Sequence, residues 1–212
     1  MKDLVVLVAD NNMKAGIEGI LKRHRALKIR PVQHDIFVHP ERDPGVLNKA
    51  HDFLCPFTTQ YRYAMVMFER EGCGREATAE KLQMEVQGKL DRVDWRGRSS
   101  VVVLEPELET WVWSDSPHVA KILGLKEDKL STLLENYSHP DYPKPIRPKE
   151  AMEKALRQAR IPRSSSLYAE LASKVSLMRC TDVAFVRLKT ILQRWFPNMR
   201  NTTMELKDSF YG

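Results

Sequence analysis

Apolar and polar positions in the first half of the chain alternate between two rhythms. Unbroken apolar runs at Leu4–Ala9, Tyr63–Phe68 and Val101–Leu104 read as strands buried on both faces. Between them the apolar positions recur at helical spacing: Met13, Ile17, Ile20 and Leu21 after the first run, and Ala79, Leu82, Val86 and Leu90 after the second. Asn11 or Asn12 can cap the earlier of these helices. A partly alternating stretch, Ile29–His39, with Val32, Ile36 and Val38, reads as another strand. Pro40 and Asp43-Pro-Gly45 break it, and a short helix, about Val46–Leu54, follows. Gly72 and Gly74 turn the chain after Phe68. The order βαβαβαβ predicts an α/β fold: a doubly wound, mainly parallel sheet of four strands or slightly more.

Past Glu105 the period becomes helical. Pro106 fits a first helical turn, with Leu108, Trp111 and Val112 as the buried stripe. Trp111 and Trp113 read as core or interface anchors. Short helices are expected near Val119–Leu123 and Leu130–Leu134. Tyr137–Pro148 holds four prolines and no period, so it reads as a linker. Helices then follow at Pro148–Ala159, Leu167–Met178 and Asp182–Trp195, with Ser166 as a cap of the middle one. The last carries Ala184, Phe185, Leu188, Ile191, Leu192 and Trp195 on one face. The expected division is an α/β domain over 1–136, a Pro-rich linker over 137–148 and a basic helical subdomain over 149–212. The polar tail after Pro197 is expected to be poorly ordered.

The chain has 212 residues, enough for one such domain and an appendage. No apolar run reaches membrane-spanning length, and the opening Met1-Lys-Asp is not a signal-peptide pattern, so a cytoplasmic protein is expected. Three scattered cysteines give neither a disulfide framework nor zinc-site spacing. Cys73 sits among acids, and a small residue in a tight turn accounts for it. Net charge is +6, unevenly spread: Lys144–Arg200 holds 13 Lys and Arg against 4 Asp and Glu. A basic face of that kind suits DNA, RNA or an acidic partner. Lys149, Arg163, Lys174, Arg187 and Arg194 are its candidate nucleic-acid contacts. Arg187 and Arg194 lie two turns apart on the polar side of the last helix, where they are expected to be free to serve a ligand.

The chemistry lies where the strands stop. Asp10 ends the first expected strand, Glu69-Arg-Glu71 ends the third, and Glu105-Pro-Glu107-Leu-Glu109 follows the fourth. In an open parallel sheet the carboxyl ends of the strands form the ligand site. Glu69 and Glu71 point to one side of an extended strand end, and two adjacent carboxylates need a cation between them. That cation is a divalent metal, or a Lys or Arg. Acids after the fourth strand also suit the positive end of a helix; of Glu105, Glu107 and Glu109 one is expected to face the pocket, and Glu107 or Glu109 to pair with a basic residue. His39, followed by Arg42 and Asp43, can border the same pocket, although a plain loop histidine explains it.

An acid after the first strand, an acid-x-acid after the third, and further acids after the next strand resemble the Toprim domain of topoisomerases, primases and related nucleases. Phe68-Glu-Arg-Glu-Gly-Cys-Gly74 and Glu105-Pro-Glu-Leu-Glu-Thr-Trp-Val-Trp113 are similar to the two most recognisable motifs of a bacterial Toprim-like family found near defence and restriction operons. The helical part, with Pro148-Lys149 and Lys174, resembles it too. The resemblance implies that Asp10, Glu69 and Glu71 are catalytic and bind Mg²⁺ or Mn²⁺, with Glu107 and Glu109 nearby. It implies a nuclease-like component of an anti-phage defence system, with other defence proteins as partners. A non-catalytic scaffold or regulatory subunit is the rival reading, and a small-molecule phosphoryl-transfer enzyme a third. Two departures bear on the choice. Asn11 stands where Toprim enzymes usually place glycine, and Glu-x-Glu adds a methylene to each arm of the usual Asp-x-Asp. The octahedron of Mg²⁺ tolerates little distortion.

Overall fold

The computed structural model of the protein describes residues 1–114 and 116–198. The apolar runs pair as β1 (Lys2–Val8), β2 (His34–Val38), β3 (Tyr61–Glu69) and β4 (Ser99–Leu104). Every pairing is parallel, and the order is β2-β1-β3-β4. The central strands β1 and β3 are sealed on both faces: Leu4–Val8 and Ala64–Phe68 have almost no exposed surface. This explains why their sequences do not alternate. The expected doubly wound parallel sheet is what the chain forms.

Three long helices make the crossovers. They are α1 (Asn11–Lys22), α3 (Arg42–Leu54) and α4 (Ala79–Leu90), with a single-turn α2 (His24–Leu27) after the first. Right-handed crossovers place α1 on one face of the sheet and α3 with α4 on the other. The expected stripes are buried in α1 and α4. Lys89 Nζ donates to Leu47 O at 3.2 Å and ties α4 to α3. The Trp95 indole donates to Leu54 O at 3.1 Å below them.

Several boundaries differ from expectation for local reasons. Asp10, not Asn11 or Asn12, caps α1, because its carboxylate accepts the Met13 N–H at 2.8 Å. Strand β2 begins only at His34; Pro31 lacks the N–H a ladder needs, and Ile29 instead bridges Pro197. The strand ends before Pro40 as expected, but the next helix starts at Arg42 instead of Val46 and takes in Asp43-Pro-Gly45, since proline is tolerated in a first turn. No α-helix forms around Pro106; Leu108–Trp111 makes only a 3₁₀ turn, and Glu107 is extended at φ −159°. Ser164, rather than Ser166, caps the helix that follows it.

The remaining helices are α5 (His118–Ile122), α6 (Glu127–Glu135), α7 (Pro148–Ala159), α8 (Ser165–Lys174) and α9 (Val183–Trp195). The irregular 137–147 segment separates α6 from α7, and the helices beyond it share the core of the sheet, a single cluster running from Leu4 to Phe196. Helix α8 lies against α1, and Arg23 caps its end by donating to Ala172 O and Val175 O at 2.9 and 2.6 Å. Helix α9 covers the open side of β4, where Arg187 Nε donates to Val101 O at 3.0 Å. Below it Tyr63 and Trp195 stack at 4.6 Å. No described helix is long and apolar enough to cross a membrane. The expectation for the tail falls on residues 199–212, outside those described.

Gly19 permits the approach of α1 and α8. A Cβ there would lie 2.8 Å from Ala172 Cβ and 3.2 Å from Ala169 O. Gly19→Val should therefore wedge the two helices apart and cost about 1–3 kcal/mol, read as a lower urea midpoint at an unchanged m-value. A midpoint equal to the wild type would mean that α8 does not depend on this contact.

Candidate functional site

Every strand delivers an acid to one edge of the sheet. In spatial order these are Asp43 after β2, Asp10 after β1, Glu69 at the end of β3, and Glu107 with Glu109 after β4. The chain leaves β1 toward β2 and re-enters at β3, so Asp10 and Glu69 flank the switch point where such folds bind ligands. The first three acids are held in the same way. Asp10 Oδ1 accepts the Met13 N–H, Asp43 Oδ1 the Glu69 N–H at 2.7 Å, and Glu69 Oε1 the Leu108 N–H at 3.0 Å. Each carboxylate is thus oriented through one oxygen bonded to backbone, while among the described residues no side chain bonds to its second oxygen.

The acids after β4 are committed more deeply. Glu107 Oε1 accepts the Lys149 N–H at 2.8 Å, and its other oxygen lies 3.8 Å from Lys149 Nζ. Glu109 has no exposed surface. Its Oε1 accepts from Arg163 at 2.6 Å and from the Tyr168 hydroxyl, while Oε2 is buried with no hydrogen-bond partner among the described residues. The rest of this segment fastens the helical part as well. The Trp111 indole donates to Asp182 Oδ1 at 2.8 Å, that of Trp113 to Pro148 O at 2.9 Å, and Lys144 Nζ to Thr110 O at 2.7 Å. Both tryptophans are buried anchors. Pro148 begins α7, so the Trp113 bond delivers the next residue, Lys149, to the acids.

Lys149 borders two clefts. One, of about 300 Å³, is lined by Asp10, Asn11, Asn12, Arg42, Lys149 and Arg163. The other, of about 450 Å³, includes Glu69, Glu71, Glu107 and Arg147 in its wall. Arg42 holds a left-handed φ of 52°, a conformation that costs a non-glycine residue about 1 kcal/mol or more. The expected acids are therefore distributed around a lysine: Asp10 opens on the first cleft, and Glu69 and Glu71 on the second.

The charges answer one another. Burial pushes the Glu69 carboxyl up to about 8; the Leu108 N–H opposes this, and the charges of Glu109 and Asp43 add to it. Burial also raises Asp43 and Glu107. Burial alone would lower Lys149, but Glu69, Glu109 and Glu107 outweigh it and hold its ammonium above the ordinary value. Arg163 is raised in the same way by Tyr168 and Glu109 against burial. Burial and Glu109 together hold the Tyr168 phenol far above its usual range.

Other candidates have settled roles. Glu71 is exposed and starts the 3₁₀ turn Glu71–Cys73. Cys73 is buried in that turn, with Sγ donating to Arg70 O at 3.0 Å. Glu105 pairs with Arg70 at 2.9 Å near the surface. His39 is buried; its Nδ1 accepts the Glu41 N–H at 3.1 Å, and burial lowers its pKa. Of the basic candidates, Lys149 and Arg163 meet the acids. Lys174 pairs with Glu170 at 2.7 Å on the surface of α8, Arg187 is tied to the edge of β4, and Arg194 is exposed in the last turn of α9. Arg187 is thus not free for a ligand through its Nε. The residue that sequence reasoning missed as an acid of the site is Asp43. Its signal was its place just after a strand end, masked by the Pro-Gly that follows.

The donors are hard oxygens, the kind that Mg²⁺ and Mn²⁺ select. They fit such an ion in kind. As placed, no group of three His, Cys, Asp or Glu among the described residues could hold one ion. Comparison with protein-family models, with curated proteins and with solved structures gives no match to this chain.

Two outcomes follow. Folding favours neutral Glu69, so its contribution is complete below the ordinary value of 4.5 and is lost as pH rises through about 8. In metal-free buffer Glu69→Gln, which keeps an acceptor for Leu108, should match the wild type at pH 5 and exceed it at pH 9 by a few kcal/mol. A stability difference that does not change with pH would refute the assignment. Arg163→Met should leave Glu109 buried without its cation and cost about 3–5 kcal/mol in chemical denaturation. A loss under about 1 kcal/mol, the surface-pair range, would show that Arg163 is not the counter-ion.

Proposed function

We propose that the chain is a Toprim-like, Mg²⁺- or Mn²⁺-dependent phosphodiesterase, a nuclease-like component of a prokaryotic defence system. The observation that carries this reading is the meeting of acids and bases at the carboxyl edge of the sheet. Asp10, Asp43 and Glu69 come from three neighbouring strand ends, and Lys149, Arg163 and Arg42 line the adjoining cleft. Phosphodiester chemistry needs both kinds of group, acids for a divalent cation and bases for the phosphate oxygens. Asp10 and Glu69 would hold the ion through the oxygens not bonded to backbone, and Asp43 would orient Glu69. Such an ion, when bound, supplies an activated water and offsets charge on the scissile phosphate. Lys149, Arg163 and Arg42 would orient the phosphate. The basic residues of 144–200 match DNA or RNA as the polyanion, with Lys174 and Arg194 as outlying contacts.

One observation favours the rival, a non-catalytic scaffold or regulatory subunit in a defence complex. Lys149 and Arg163 already neutralise Glu107 and Glu109, and the described acids form no ready ion cage. Thermal melting separates the two readings. Mn²⁺ at a hundredfold excess over its dissociation constant should stabilise the protein by about 2.7 kcal/mol, or roughly 5–10 °C. Asp10→Asn and Glu69→Gln should abolish that rise, and Mn²⁺-dependent cleavage of labelled DNA or RNA should disappear with it. An unchanged melting temperature, together with salt-sensitive nucleic-acid binding and no cleavage, selects the scaffold.

A further inference from the structure

We infer that Asp43 is the positioning residue of the acidic site: through the Glu69 N–H it fixes where β3 ends, and so where the Glu69 carboxylate stands. The site's activity rests on the reading above, whereas the hold of Asp43 on Glu69 does not.

The argument starts from the ladder. Glu69 pairs with Leu104 of β4, and the next N–H, that of Arg70, goes to Leu104 O at 2.9 Å. In a parallel strand successive N–H groups point to opposite neighbours. The Glu69 N–H therefore points away from β4, toward β1. The β1–β3 register ends at Leu7 with Val66, so no strand remains there to accept it. Asp43 Oδ1 takes that N–H at 2.7 Å. A side chain from the end of β2 thus supplies the acceptor that β1 no longer offers.

Gly72 closes the arrangement from above. A Cβ on Gly72 would lie 2.6 Å from Asp43 Oδ2, 2.8 Å from its Cγ and 3.3 Å from its Cβ. The turn after Glu69 thus folds onto the carboxylate, and only glycine leaves room for it. The root of Asp43 is fixed as well, because the first turn of α3 is packed at Gly45. A Cβ there would lie 2.2 Å from His39 Nδ1. The aspartate is held at its base by α3 and at its tip by the Glu69 N–H, and Gly72 covers it.

The test uses the full chain and two readouts: amide exchange at Glu69 by NMR in metal-free buffer, and calorimetric titration with MnCl₂. Asp43→Ala removes the acceptor, whereas Asp43→Asn keeps an oxygen for the N–H and loses the charge. Asp43→Ala should speed exchange at Glu69 about tenfold, the scale of one lost hydrogen bond, with Val6 unchanged. Asp43→Asn should stay within about threefold of the wild type. Mn²⁺ affinity should follow the same order, falling about tenfold in Asp43→Ala and recovering in Asp43→Asn. Gly72→Ala should behave like Asp43→Ala. If Asp43→Ala does not fold, Asp43→Ser, too short to reach the amide, is read in its place. Unchanged Glu69 exchange, or exchange that rises equally at Val6, overturns the inference. If Asp43→Asn protects the amide but binds Mn²⁺ as poorly as Asp43→Ala, Asp43 acts through its charge, and the positioning role is likewise overturned. A wild type that takes up no Mn²⁺ defeats the metal reading and leaves amide exchange to decide the role of Asp43.

Discussion

Glu109 is a carboxylate without exposed surface, and the C-terminal half of the molecule is arranged to answer it. An ion in a low-dielectric interior is stable only when opposite charge and hydrogen bonds reach it. Arg163, just before α8, supplies the charge, and Tyr168 within α8 supplies a hydroxyl. Two residues earlier Glu107 fixes the start of α7 by accepting the Lys149 N–H. Trp111 and Trp113, from the same short segment, reach α9 and α7. One stretch after β4 therefore fastens the three last helices to the edge where the strands end. The buried pairing gives this attachment a fixed position, since removing either partner strands the other.

That attachment sets the chemistry of the edge. The acids are crowded, and crowding calls for cations. Lys149 and Arg163 are cations the chain carries itself, and they arrive because the helices are docked. Lys149 borders both clefts, so the acids do not form one bare cage. A metal ion entering here would compete with an ammonium already placed. The same geometry gives a phosphate positive groups beside the acids. The proposed phosphodiesterase chemistry requires a metal ion to win that competition at carboxylates oriented through single oxygens.

The acids also depend on one another through backbone. Asp10 caps the helix that leaves its own strand, Asp43 holds the end of β3, and Glu69 holds the turn at Leu108. Charged groups spent on N–H groups are placed more firmly than free side chains, because each loses rotamer freedom to a fixed donor. The chain of contacts thus runs from Asp43 through Glu69 to the turn after β4, while Asp10 is fixed by its own helix. A change at Asp43 is expected to move Glu69, and a change at Glu69 the turn that carries Glu107 and Glu109.

The sequence by itself determined the sheet, the helices on it and the edge at which acids collect. Unbroken apolar runs can be buried only as central strands, and helical stripes between them leave parallel crossovers as the consistent path. Asp10, Glu69, Glu107 and Glu109 were legible because acids at or within a few residues of the end of such a run lie at the carboxyl edge of the sheet. Tertiary structure alone decided the rest. It paired Glu107 with Lys149 and Glu109 with Arg163 across 42 and 54 residues of sequence. It brought Asp43 to the Glu69 N–H across 26 residues, although Asp43-Pro-Gly reads locally as a turn. It tied the Nε of Arg187 to Val101 O of β4 while the side chain stays exposed, a contact that helical spacing does not show. It also limited 107–113 to one 3₁₀ turn in place of the expected α-helix, and side chains of that segment reach other helices. Periodicity records which face of an element is buried. The partner of a buried charge is chosen by docking, which no local pattern encodes.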